Sequence, residues 1–208
     1  MKHTVAVLAV SVSALFAATS ASAAPIYLTN SADSSLSGST LLDFNAEALG
    51  SFNSRAFGSN VTLSTSGTAL NVESIYAGSY AATGNYIANG SGGNSFDLVF
   101  TNAVSAFGFN WGAADMSWTM NLLDSSNTLI SSLFVAAQTD PYAAFIGANG
   151  NGQLIKTVQM VQANYDYILL DDLQFVQGSG TAVPEPASVA LLGLSLAGLA
   201  ALRRRKYA

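Results

Sequence analysis

Val104-Ser105-Ala106-Phe107-Gly108-Phe109-Asn110-Trp111 places large apolar side chains at 107, 109 and 111 and small or polar ones between them. Successive side chains of an extended strand point to opposite faces, so this period of two predicts a strand that buries one face. The stretch before it repeats the pattern with Phe96, Leu98 and Phe100, and the stretch after it with Trp118, Met120 and Leu122. The alternate positions, Gly108 and Asn110 in one run and Ser117, Thr119 and Asn121 in another, suit sheets wetted on one side. Asp124-Ser125-Ser126-Asn127 predicts a hairpin turn between two such runs. Working outward, strands are expected over 40–44, 61–65, 69–76, 95–100, 104–111, 117–123, 128–136, 143–148, 155–162 and 165–176. Helical periodicity is not sustained anywhere between the termini. A short helical turn around Ala46-Glu47-Ala48-Leu49 is ended by Gly50. So many short strands predict an all-β fold, an antiparallel two-sheet β-sandwich of jelly-roll-like form.

The chain has 208 residues, no cysteine and one histidine, His3. Between residues 24 and 178 the only cations are Arg55 and Lys156, set against eleven Asp and Glu, a net charge of −9. Phosphate contacts need Lys and Arg, so nucleic-acid binding is excluded as a role. Without Cys, and with the only His next to the N-terminus, a Ser-His-Asp triad, a cysteine nucleophile and a His/Cys zinc site are all excluded from this region. Carboxylate chemistry such as glycoside hydrolysis stays open on composition alone.

The two ends read as targeting segments. Lys2 is followed by an apolar run from Val5 to Ala18, and Ala21-Ser22-Ala23 offers the small residues of a signal-peptidase cut before Ala24. At the other end, Pro184-Glu185-Pro186 precedes an apolar run from Ala187 to Leu202 and a basic cluster, Arg203-Arg204-Arg205-Lys206. Sixteen residues of helix would span about 24 Å, slightly less than a hydrocarbon core of about 30 Å. The basic cluster would stay cytoplasmic by the positive-inside bias, leaving the rest of the chain outside. The prolines keep the segment before the span extended. The expected organisation is therefore a signal peptide with its helix over 1–23, a β-sandwich domain over 24–178, and a linker, sorting signal and transmembrane helix over 179–208.

The tripeptide, span and basic cluster, in that order, closely resemble the PEP-CTERM sorting domain of Gram-negative bacteria. That resemblance implies export by signal peptidase and transient anchoring in the inner membrane facing the periplasm. It further implies recognition by an exosortase and delivery to the cell surface or extracellular matrix, with exopolysaccharide and biofilm as the setting. The expected role is a non-enzymatic surface protein; a carbohydrate-binding adhesin and a carboxylate-dependent glycosidase are the alternatives.

Leu42-Asp43-Phe44, the 106–112 stretch, Phe145-Ile146-Gly147 and Leu170-Asp171-Asp172-Leu173-Gln174-Phe175 together resemble the lectin-like β-sandwich modules of such surface proteins. In those modules the first and last strands lie side by side and often hold a structural calcium ion. The resemblance thus implies Asp43, Asp171 and Asp172 as ligands; solvated or loop-bonded acids are the alternative. The Gly- and Asn-rich stretches 84–94 and 147–152 lie near Tyr80, Tyr86 and Tyr142. Tyrosine offers a sugar ring a flat apolar face and its edge a hydroxyl, which makes these three candidate glycan contacts, although Gly-Asn stretches also serve as ordinary turns.

Overall fold

The computed structural model of the chain describes residues 23–90 and 93–178; the expected signal helix, transmembrane helix and sorting motif lie outside the described residues. Thirteen strands form one hydrogen-bonded network. They are β1 Ile26–Leu28, β2 Thr40–Leu42, β3 Gly50–Phe52, β4 Ser54–Phe57, β5 Val61–Ser64, β6 Leu70–Glu73, β7 Tyr86–Ala88, β8 Ser95–Gly112, β9 Trp118–Leu123, β10 Leu129–Val135, β11 Ala143–Asn149, β12 Ile155–Val161 and β13 Leu169–Gln177. Every pairing between them is antiparallel. The helical content of the described residues is a single 3-10 turn, Ser34–Leu36, capped by the Asp33 carboxylate, which accepts from Ser35 N–H. Among the described residues no helix is long and apolar enough to cross a membrane. The expected turn at Ala46–Leu49 is an irregular turn closed by Glu47 N–H on the Phe44 carbonyl, with no helix after it.

β8 organises the network. Its 18 residues cover two of the strands expected from the sequence. The N-terminal half lies between β12 and β5, with β9 and β10 beyond β12 and β4 beyond β5. Its C-terminal half lies between β11 and β13, with β1 beyond β11, and β2, β7, β6 and β3 reached through β13. Fifteen residues of straight strand would separate Phe96 from Trp111 by about 50 Å, yet their rings lie 6.4 Å apart. Phe100 and Phe107 likewise meet at 5.8 Å. The strand must therefore fold back between its halves. The exposed Thr101 and Asn102 form the bend, where the β12 register jumps from Val104 to Val99 opposite Ile155 and Thr157. Lys156 Nζ donates to the Thr101 carbonyl at 2.7 Å, satisfying one backbone acceptor that the bend frees from the ladder.

The three predicted apolar faces, Phe96/Leu98/Phe100, Phe107/Phe109/Trp111 and Trp118/Met120/Leu122, are all buried in the main core. One expectation needs correction. Gly108 does not face water: the Phe145 ring lies over it, while Leu28 and Leu36 pack with Ala106 on that same side. β1 and the 3-10 turn cover the C-terminal half of β8 on its second face, so residues 106–109 are buried without alternation. Within the 84–94 stretch, Asn89 has a structural role. Asn89 is buried, its amide donating to the Gly93 and Asp166 carbonyls and its oxygen accepting from Ile168 N–H. The predicted hairpin at Asp124–Asn127 joins β9 to β10, with Asp124 Oδ1 accepting from Ser126 and Thr128 N–H, both at 2.8 Å.

Candidate functional site

The ladder leaves three connections at one end of β8: the β6–β7 loop, the turn after Gly112, and the segment leading into β11. Together with the residue ahead of Ile168 they bring Tyr76, Tyr80, Tyr142 and Tyr167 around an open cleft of ≈ 230 Å³ completed by Ala113 and Asp115. The tyrosine rings meet edge to face. Tyr76 lies 5.7 Å from Tyr80 and 6.0 Å from Tyr167, centroid to centroid. Four residues at this cleft hold left-handed backbone conformations without being glycine: Tyr80 (φ 52°), Ala81 (φ 59°), Ala113 (φ 59°) and Tyr142 (φ 53°). Such conformations cost of order 1 kcal/mol or more each and persist only where the surroundings enforce them.

Those surroundings are visible. Tyr76 N–H donates to the Tyr86 hydroxyl at 3.0 Å, so the buried Tyr86 anchors the loop from below. Asp171 accepts from Thr83 N–H at 2.7 Å and from the Thr83 hydroxyl at 3.2 Å, tying the other end of the loop to β13. Ala113 N–H donates to the Tyr142 carbonyl at 2.9 Å, joining the second and third connections. Gly112 lets the loop come this close, because any Cβ there would run into the Tyr80 carbonyl.

The cleft is electronegative. Asp115 is exposed at its rim, and no Lys or Arg lines it. Beneath it Asp166 is buried, accepting from Trp118 Nε1 at 2.8 Å and Met116 N–H at 3.3 Å. Burial pushes the Asp166 carboxyl up from its ordinary value; the Trp118 bond opposes this and the adjacent Asp115 adds to it. Tyr167 donates its hydroxyl to Glu73 at 2.8 Å. Burial, and then the Glu73 carboxylate, push that phenol far up, so it stays a neutral donor at any physiological pH.

Of the tyrosines singled out in the sequence, Tyr80 and Tyr142 are brought together in this cleft. Tyr86 is not a contact surface: it is fully buried, a support for Tyr76. Tyr76, Tyr167 and Asp115 were not anticipated. Tyr76 and Tyr167 looked like strand residues, whereas both lie just outside the ends of β6 and β13.

The carboxylates expected to hold calcium are split by a bulge. In β13, Asp171 opposes Asn110 and Gln174 opposes Gly108, so one extra residue is accommodated there, and Asp172 takes φ 49°. Asp171 consequently turns inward, 1% exposed, and also accepts from Asp172 N–H at 2.8 Å. Asp172 accepts from Asn110 Nδ2 at 2.9 Å; burial, then the charge of Asp43, raise its pKa. Asp43 is exposed and caps Asn45 N–H. Asp43 and Asp172 are thus brought near each other, while the Asp171 oxygens are occupied by Thr83 and Asp172. Among the described residues no group of three or more His, Cys, Asp or Glu is gathered for a metal ion.

No curated protein matches the chain. Among solved structures it is similar to a family 6 carbohydrate-binding module (12% identity, 67% of this chain and 94% of that one, TM-score 0.38). It is also similar to a Bacillus subtilis glycoside hydrolase family 43 arabinoxylan arabinofuranohydrolase in complex with cellotetraose (15%, 54% of this chain and 25% of that one, 0.36). A variant of a family 29 carbohydrate-binding module is a third (12%, 71% and 98%, 0.34). TM-scores below 0.4 at these identities carry no inference about ligand or chemistry. The sequence tail is a different matter: Pro-Glu-Pro, apolar run and basic cluster fall inside one matched model, and residues 182–206 are a PEP-CTERM protein-sorting motif.

Proposed function

We propose that this chain is an exported, non-enzymatic surface or extracellular-matrix protein. In this reading signal peptidase removes residues 1–23, and an exosortase recognises Pro184, Glu185 and Pro186 while the 187–202 span holds the chain in the inner membrane. The β-domain over 24–178, a two-sheet jelly-roll-like sandwich, is then released towards the cell surface and its exopolysaccharide or biofilm. The single observation that carries the proposal is the sorting motif at 182–206. Its order has a physical rationale: the two prolines keep the processing site extended beside the membrane, and Arg203, Arg204, Arg205 and Lys206 stop the span. The test is intact-mass analysis of the exported protein. Deleting Pro184–Pro186, or Glu185→Ala, is expected to leave unprocessed chain in the inner membrane. An unchanged mature C-terminus in both variants refutes the proposal.

The tyrosine cleft favours a second reading, a carbohydrate-binding adhesin on the same scaffold, because four aromatic faces around one open depression suit sugar rings. The same geometry weighs against a glycosidase. Of the two acids at the cleft only Asp115 is exposed; Asp166 is buried with its Oδ2 accepting from Trp118 Nε1 and Met116 N–H, so it is not presented to a substrate as the second member of an acid and base pair.

A further inference from the structure

The cleft has two properties that a neutral-sugar site does not need. It carries a carboxylate at its rim, Asp115, with Asp166 beneath it and Glu73 behind Tyr167, and no cation balances them. The two cations of the β-domain are engaged elsewhere. Arg55 bonds Glu47 at 2.7 Å and lies over the Phe52 and Phe57 rings, and Lys156 holds the bend of β8. Aromatic faces carry negative potential, and a protonated amine held against them near a carboxylate is attracted by both. An acidic saccharide meets the opposite: repulsion from Asp115 with nothing to offset it.

We propose that the cleft binds an amine-bearing glycan, a chain of N-deacetylated hexosamine units whose ammonium group sits among Tyr76, Tyr80, Tyr142 and Tyr167 and pairs with Asp115. This rests on the carbohydrate-binding reading above and specifies its ligand. The tyrosines supply faces for the ring and the ammonium. The Tyr167 hydroxyl gives its proton to Glu73, so towards a ligand it can only accept, as an ammonium donor requires. Asp115, exposed and without a basic neighbour in the cleft, supplies the charge that separates a free amine from an acetylated one.

The experiment is calorimetric titration of the full-length chain in mild detergent, at pH about 6 and physiological salt. The probes are glucosamine tetramer, N-acetylglucosamine tetramer and cellotetraose. The glucosamine tetramer is expected to bind at least about tenfold more tightly than either neutral oligomer, and to lose that margin at a pH where its amines are neutral. Tyr76→Ala should weaken it about tenfold and Tyr76→Phe should not, since the ring face is kept. Asp115→Asn should weaken it about fivefold while leaving the neutral oligomers unchanged. Melting curves identify any variant that fails to fold, and in that case Asp115→Asn, at an exposed position, decides alone. Neutral oligomers that bind as tightly as the amine would overturn the inference and leave carbohydrate binding standing. No binding by any oligomer overturns both. Amine binding indifferent to Asp115→Asn or Tyr76→Ala reflects diffuse attraction to an acidic surface, and overturns the inference as well.

Discussion

Asp171 offers the sharpest quantitative test of how the tyrosine loop is held. It is 1% exposed, and burial raises its pKa from 3.8 to about 6, against the lowering effect of the Thr83 and Asp172 amides. A folded-state value above the unfolded one means that the folded protein binds the proton more tightly. Stability contributed by this group is therefore present below pH about 4 and is lost as pH rises through about 6. The rise corresponds to at most about 3 kcal/mol. For a domain of this size that is a fall in melting temperature of roughly 6–12 °C between mildly acid and neutral solution. Asp97, Asp166 and Asp172 are also pushed up, each chiefly by burial, and add to the slope in the same direction.

Asp171→Asn removes the ionisation while keeping the shape. One amide oxygen can still accept from Thr83, but the new NH2 group must face an N–H that formerly met an oxygen, a mismatch worth about 1–3 kcal/mol. The variant should thus be less stable than the parent at pH about 4, close to it at pH about 7, and flatter between. Urea melts of residues 24–178 followed by tryptophan fluorescence measure both slopes. A parent protein whose stability holds or rises between pH 4.5 and 7 would refute the reasoning, as would an Asn variant with the parental slope.

Gly112→Ala should destabilise the domain by about 1–3 kcal/mol and reduce the near-ultraviolet circular dichroism of the tyrosines, because the methyl group would displace the Tyr80 backbone. Gly67→Ala, whose added methyl would lie 3.8 Å from Thr65 Oγ1, is the control and should change little. Structural calcium is a proposal whose remaining ligands are Asp43 and Asp172, since the Asp171 oxygens are engaged. On that proposal, calcium at 100 times its dissociation constant adds about 2.7 kcal/mol and Asp43→Asn abolishes the gain. Melting curves that coincide in calcium and in chelator remove it.

The apolar alternation made the core legible. Phe107, Phe109 and Trp111, or Trp118, Met120 and Leu122, can be assigned to a buried face from their spacing alone because a strand's period is fixed. The short strands β1, β3, β4 and β7 were not legible. They lack the alternation of buried apolar residues that marks β5 (Val61, Leu63) and β6 (Leu70, Val72), and Gly50–Phe52 and Ser54–Phe57 are strands because β6 and β5 lie beside them. Equally hidden was the fold-back of β8. Phe100-Thr101-Asn102-Ala103-Val104 reads as a break between two strands, and only the meeting of Phe96 with Trp111 shows what the break accomplishes. The cleft was half legible. Tyr80 and Tyr142 stood out because they lie beside Gly- and Asn-rich stretches, but Tyr86, singled out on the same ground, became core once β7 paired with β6 and β13.

The same geometry explains why the costly groups of this domain are where they are. Two buried carboxylates with raised pKa flank the cleft, Asp171 bonded to the β6–β7 loop and Asp166 bonded beside Asp115. Replacing either by an apolar side chain would relieve desolvation at neutral pH. It would also leave the amides of Thr83, Asp172 and Met116 without their acceptors; Asp172 itself is left-handed, and the other two amides belong to the segments that carry Tyr80 and Ala113 in their strained conformations. A carboxylate can satisfy several convergent N–H groups at once, which no apolar residue can do and a neutral amide does only in part. In a chain without disulfides, such multi-acceptor groups are how loops of irregular backbone are fixed to a regular sheet. Stability is lowered at neutral pH where it secures the position of the tyrosines, so cleft geometry and acid stability should change together when either carboxylate is altered.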